Sequence, residues 1–315
     1  MRDGWKLVWL AAVAIALIAV FMTIDGSGNW DYVLPRRAKK IAGMLLTGCA
    51  ISMSTVIFQT LTNNRILTPS FIGFDFLFVL LQTTIVFVFG AASLATMDAN
   101  LKFLLAVAAM ALFAGLLYRL LFRRRDQALF FLLLVGIICG TFFSSLSQFM
   151  QKLLDPNEFA VLQDRMFASF NQMNGEVLLM AALISAMAIM AFARDFKYLD
   201  VLALGRDHAI NLGVPHERIT KRFLILIAVL VAASTALVGP ITFLGLLVSN
   251  VAYKLMRSFR HAVVIPAAAL VSVVALVSGQ LIVERVFTFS TTLSVILNFV
   301  GGVYFLYLLL KENKT

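Results

Sequence analysis

The chain has 315 residues, of which 61% are hydrophobic and 13% charged, and its formal net charge is +10. Soluble domains are about half apolar and about a quarter charged, so this composition excludes an ordinary soluble enzyme or binding module. A mean hydropathy of +0.95 points instead to a chain dissolved in lipid.

Ten apolar runs follow one another, at about 7–24, 41–61, 76–96, 103–121, 129–149, 177–192, 223–238, 241–255, 262–283 and 293–310. Runs of about 18 apolar residues or more read as membrane-spanning helices. Lipid offers no partner to an open backbone, and no period-2 alternation supports a barrel. The expected fold is therefore an all-α integral membrane protein of about ten transmembrane helices, forming a single polytopic domain over residues 1–315. The first run follows a basic "MRDGWK" but is not succeeded by a small-residue cleavage site in "FMTIDGSGNW", so it is expected to be retained. The eighth run is short and follows Gly239 and Pro240.

Ten spans put both termini on one side. If that side is the cytoplasm, 18 of the 26 Lys and Arg residues fall in inner segments, among them Arg119, Arg123, Arg124, Arg125 and Lys314. This is the bias expected of cytoplasmic loops. The positive charge thus reads as a topology signal and not as a nucleic-acid footprint. The outer "PRRAKK" cluster breaks the trend.

Little in the chain resembles catalytic chemistry. Cys49 and Cys139 lie within apolar runs and read as small packing residues. His208, His216 and His261 fall in inner loops, as solvated or locally bonded side chains. There is no GxxxxGK[ST] phosphate loop, hydrolase triad or metal-ligand cluster. Asp75, Glu176, Glu284 and Arg285 stand at the edges of runs, where they are expected to snorkel. An autonomous ion-coupled carrier would place ionisable groups deep in its bundle. A second subunit is therefore expected to supply the energy, with the self-powered carrier as the alternative.

Three stretches are unusually polar for their surroundings. Span five carries Ser144 and Gln148 at helical spacing on one face, a pattern that suits either a translocation pathway or helix–helix packing. The outer segment "NQMNG" offers Asn171, Gln172 and Asn174, which are costly to bury without partners. They suit a polar cargo if they face a pathway, and need no explanation in water. Between spans six and seven lies "LALGRDHAINLGVP", residues 202–215. Its glycines and proline predict two short helical pieces with a tight turn, forming a knob at the inner membrane surface. Such a knob is either a handle for a partner or an ordinary connector.

This last stretch resembles the coupling segment of the iron-siderophore, haem and cobalamin family of ABC importer permeases. Leu202, Gly205, Ala209, Leu212, Gly213 and Val214 match the family's "LALGE-xx-A-xx-LGV", with Asp207 displaced by one position from the usual acid. "LPRRAKKIAGMLLTGCAISMSTVIFQTLTNN" is similar to the family's second helix through Pro35, Arg36, Gly48, Gln59 and Asn63 or Asn64. "VGPITFLGLLVSNVAYKL" is similar through Gly239, Pro240, Ile241, Phe243, Gly245, Leu246 and Val248, and "FVGGVYFLYLLLK" resembles the C-terminal helix. Departures are Arg65 after Asn64, Asp75 where small residues are common, Ser249 and Asn250 in place of Pro-His, and "FASFNQMNGEV" in place of a glycine-rich segment.

The resemblance implies a type II ABC importer permease that pairs with a second permease chain, identical or paralogous. Two ATPase subunits would bind ATP and magnesium, and this chain would hold no cofactor. An extracytoplasmic binding protein would deliver a ferric siderophore, with haem or cobalamin as the alternative cargo. Leu202, Leu204, Gly205, Arg206, Asp207, Ala209, Leu212 and Gly213 would couple to the ATPase. Arg36, at the matching "LPR" position, would meet the binding protein, aided by Arg37 and Arg285. Contact with anionic lipid headgroups is the other reading of these outer cations.

Overall fold

A computed structural model describes residues 2–24, 30–121, 128–171, 173–289 and 291–312. Gln172, residues 25–29 and the basic residues Arg123, Arg124, Arg125 and Lys314 lie outside the described residues.

The described residues form helices and no strands. In chain order these are α1 (Arg2–Thr23), α2 (Trp30–Thr62), α3 (Phe74–Phe89), α4 (Ala91–Thr96), α5 (Ala99–Leu121), α6 (Ala128–Leu153), α7 (Pro156–Met166), α8 (Gly175–Phe192), α9 (Leu199–Leu202), α10 (Arg206–Asn211), α11 (His216–Val238), α12 (Leu244–Leu255), α13 (His261–Arg285) and α14 (Leu293–Glu312). Two 3₁₀ turns, Pro69–Ile72 and Ala193–Tyr198, precede α3 and α9. Among the described residues, seven helices are long and apolar enough to cross a membrane, and three shorter apolar helices accompany them within α3, α12 and α14. These ten correspond in order to the ten expected runs.

The core is built around α2, α11 and α13. At 33 residues α2 is about 50 Å long, well beyond the roughly 30 Å of bilayer hydrocarbon. Its surplus lies at the N-terminal end, where the "PRRAKK" cluster sits. Ile57, Phe58, Phe223, Leu226 and Ile227 are fully buried where α2 meets α11. On the other side Met44, Leu276 and Val277 share a second cluster with α1 and α13. The peripheral helices α1, α6 and α14 leave much apolar surface open, including Trp9, Phe142 and Phe299.

The third and eighth runs depart from simple spans. The third divides at Gly90 into α3 and α4. The eighth is the 12-residue α12, about 18 Å long, too short to cross alone. It is led in by residues 239–243, whose irregular backbone is tolerated because it is packed within protein. At Gly245 this helix presses so closely on α2 that a Cβ would lie 2.1 Å from Thr55 Oγ1.

The expectation for the charged residues at run edges requires correction. Asp75 does not snorkel at a span edge. It is only 7% exposed, and its Oδ2 accepts a hydrogen bond from Thr242 Oγ1 at 2.9 Å. It borders a small cavity of about 10 Å³ with Ser54, Thr55 and Thr235, beside the interior of α2 and α11. The reason is local: the 3₁₀ turn Pro69–Ile72 carries the chain back into the bundle before α3 begins, so the start of the helix is not the membrane edge. Glu284 is likewise paired, with Lys40 Nζ at 2.8 Å.

Candidate functional site

The knob forms from its own sequence. Gly205 precedes α10 with φ +95, a region a β-branched residue avoids. At the other end Gly213, with φ +79, closes the helix. Its N–H donates to the Ile210 carbonyl at 2.9 Å, while the Val214 N–H donates to the Ala209 carbonyl at 3.0 Å. This is the paired bonding of a Schellman motif, with Ala209 and Val214 both buried beneath it. Pro215 follows and prevents continuation.

Folding separates the predicted coupling residues into two groups. Leu202 and Ala209 are buried and join the core cluster shared with α2 and α11. Leu204 and Leu212 are exposed at 57% and 63%, and Ile210, which the sequence pattern does not single out, joins them at 48%. Arg206 and Asp207 are exposed beside them. The knob therefore presents an apolar tip with charges at its edge.

The base of the knob is tied down by residues that sequence alone does not connect. His261 is not the solvated or locally bonded loop residue expected: it is buried at the head of α13 and donates from its backbone N and from Nδ1 to Asp200 Oδ1, at 2.8 and 2.7 Å. Because an ionised carboxylate only accepts, Nδ1 carries the proton. His261 Nε2 lies 2.6 Å from Thr60 Oγ1 at the end of α2. Arg222, on α11, bonds Asp195 at 3.0 Å just before α9. Three long helices thus hold one short surface element. Partners 61 and 201 residues apart leave no spacing signal to find.

On the opposite side the three arginines have different surroundings. Arg36 is exposed, bonded to Tyr32 Oη at 2.9 Å with its guanidinium over that ring. Arg37 turns inward and donates to the carbonyls of Phe21, Met22 and Ile24, closing the C-terminal end of α1. Arg285 is exposed in the last turn of α13.

The polar pathway candidates fall in two places. Ser144 and Gln148 bond each other at 2.9 Å on α6, beside exposed Phe142 and Phe149. Asn171 and Asn174 line a cavity of about 470 Å³ with Gln82, Lys102 and Ser169, at the ends of α5 and α11. Both asparagines also have structural tasks. Asn171 Oδ1 accepts from Gln280 at 3.1 Å, and Asn174 caps α8 by accepting from the Glu176 N–H at 2.9 Å.

Known proteins share this architecture and sequence. The chain is 53% identical to the petrobactin import system permease protein YclO of Bacillus subtilis, with both chains covered completely. It is 37% identical to the petrobactin import system permease protein FatC of Bacillus anthracis, over 99% of this chain and 90% of that one. A solved metal-chelate type ABC transporter in an inward-facing conformation superimposes with a TM-score of 0.83 at 21% identity, covering 98% of this chain and 99% of that chain. The model of the FecCD transport family matches residues 6–311. The chain belongs to the FecCD transport family.

Proposed function

We propose that this chain is the membrane subunit of an ABC importer that carries a ferric siderophore into the cytoplasm, with ferric petrobactin as the first cargo to test. The observation that carries the mechanism is the knob: a surface element anchored to α2, α11 and α13, with an exposed apolar tip. A connector needs no such anchoring. A partner whose hydrolysis must move the bundle does.

In this reading both termini and the knob face the cytoplasm. Two ATPase subunits hold ATP and magnesium and grip the knobs of two permease chains. Leu204, Ile210 and Leu212 fill the ATPase groove, while Arg206 and Asp207 set orientation at its rim. A second permease chain covers the face of α6 that carries Ser144 and Gln148, since hydroxyl and amide groups are poorly served by lipid. Arg36 and Arg285 receive the extracytoplasmic binding protein. The cargo preference rests on the two petrobactin permeases to which the chain is similar.

The test is uptake of radioactive iron. Cells expressing the chain with its ATPase and binding protein are expected to accumulate iron supplied as ferric petrobactin, and to lose that uptake when the chain is deleted. Accumulation of haem or cobalamin, with none from ferric petrobactin, would overturn the cargo assignment.

A further inference from the structure

Beside the knob lies a second feature, built from two places where the sequence departs from the family pattern. Arg65 follows Asn64 at the turn after α2, and Asn250 sits on α12. Folding brings them together. Asn250 Nδ2 donates to the Arg65 carbonyl at 3.0 Å, and Gln59 Nε2 donates to the same oxygen at 2.6 Å. The Arg65 guanidinium lies over the Tyr253 ring, 4.6 Å from its centroid. Three side chains from α2 and α12 thus fix one exposed arginine. A cation that merely marks membrane sidedness needs no such support.

Arg65 borders an open cavity of about 320 Å³ with Arg257, Asn63, Ser258 and His261, and among the described residues no Asp or Glu lines its wall. Two carboxylates bond residues of this wall and are engaged there: Asp200 with His261, and Asp3 with the Arg257 N–H and Lys6. Phe259 stands on the rim, 79% exposed. Ala203 also lines the cavity, so it runs directly into the knob, whose exposed Leu204 is the next residue.

We propose that this basic cavity is a second contact for the ATPase subunit, in which Arg65 and Arg257 take one or more carboxylate side chains of the surface that receives the knob. The inference rests on the ABC importer reading above. Charge and continuity select the occupant: two guanidiniums with no acidic wall call for an anion, and a partner gripping Leu204 already covers the cavity mouth. Knob and cavity then divide the work. The apolar tip sets how long the ATPase stays, and the two cations, with Arg65 held in place, set how fast it arrives and in which register.

The experiment measures association of the purified ATPase subunit with the full chain in phosphatidylcholine nanodiscs, with and without added phosphatidylglycerol, at low and moderate salt. Arg65→Glu with Arg257→Glu is expected to slow association about tenfold at low salt and to remove most of its salt dependence. Arg65→Lys is expected to keep the wild-type rate, since the charge is retained. Leu212→Asp serves as the knob control and is expected to speed dissociation while leaving the salt dependence intact. Unchanged association in the double reversal, with Leu212→Asp defective, overturns this inference and leaves the importer reading standing. Failure of the wild-type chain to bind any ATPase overturns both. Equal loss in Arg65→Lys and Arg65→Glu assigns Arg65 a packing role, and an effect seen only with phosphatidylglycerol assigns the cavity to lipid headgroups; either result overturns the proposal.

Discussion

Asp200 and His261 join the base of the knob to the head of α13 through two hydrogen bonds to a single carboxylate oxygen, at 2.8 and 2.7 Å. The same imidazole reaches Thr60 on α2 at 2.6 Å, so a push on the knob meets two core helices at once. Asp200→Ala removes the tie and leaves the spans untouched. The variant is expected to insert and to recover its ATPase normally, but to import several-fold less iron per ATP hydrolysed, in line with the roughly 1–3 kcal/mol that a buried hydrogen-bonding group loses without its partner. The ratio of imported iron to released phosphate measures this directly. An unchanged ratio would show that force travels by another route.

The buried Asp75 separates a structural carboxylate from an ion-coupling one. Its bond to Thr242 fixes the start of α3 against residues 239–243. Asp75→Ala is expected to lower thermal stability in detergent by about 1–3 kcal/mol, and Asp75→Asn by less, because the amide oxygen still accepts. ATP-driven uptake by the wild type and by Asp75→Asn is expected to survive dissipation of the proton gradient. Uptake that stopped with the gradient in the wild type and became insensitive in Asp75→Asn would favour the self-powered carrier.

Close packing of α12 on α2 gives a purely steric prediction. Gly245→Ala drives a Cβ to 2.1 Å from Thr55 Oγ1, and overpacking of this kind costs about 1–3 kcal/mol. Thr55→Ala in the same chain removes the clashing hydroxyl and is expected to restore much of the loss. Melting of the two single variants and the double variant forms a cycle whose coupling reports the contact. Additive losses would mean that the helices move apart instead.

What the sequence disclosed, and what it concealed, follows from the range of the interactions. The knob was legible because Gly205, Gly213 and Pro215 act on their own neighbours, and the spans were legible because lipid demands long apolar runs. Asp75 was misplaced because the sequence shows only that an apolar run begins there, not that the 3₁₀ turn Pro69–Ile72 carries it inside. Ala209 and Ile210 differ in exposure because of how a six-residue helix is seated, which no pattern that short records. The anchors Thr60, His261 and Arg222, and the stacking of Arg65 on Tyr253, join distant segments and needed the fold. Four-stretch resemblance along the chain supplied the family; it carried no information on the Asn250–Arg65 contact, since both residues depart from the pattern.

Neighbouring arginines on the outer side are expected to fail differently. Arg37→Ala strips the Phe21, Met22 and Ile24 carbonyls at the end of α1 of their donor and is expected to lower stability by about 1–3 kcal/mol. Arg36→Glu leaves stability near wild type but slows capture of the binding protein, most clearly at low salt. Thermal melts and association rates measured on both variants separate the roles. Equal capture rates in Arg36→Glu and wild type would remove Arg36 from the docking surface.

The most direct test places the purified chain in proteoliposomes with its ATPase subunit and binding protein, and follows ATP-dependent uptake of radioactive iron as ferric petrobactin. Wild type is expected to import, and Gly205→Val and Leu212→Asp are expected to insert normally yet import at least about tenfold less, because the first strains a positive-φ position and the second puts a charge on the apolar tip. Import at wild-type rates by both variants would contradict the coupling role of the knob, and with it the mechanism by which a partner's ATP hydrolysis moves this bundle and its cargo.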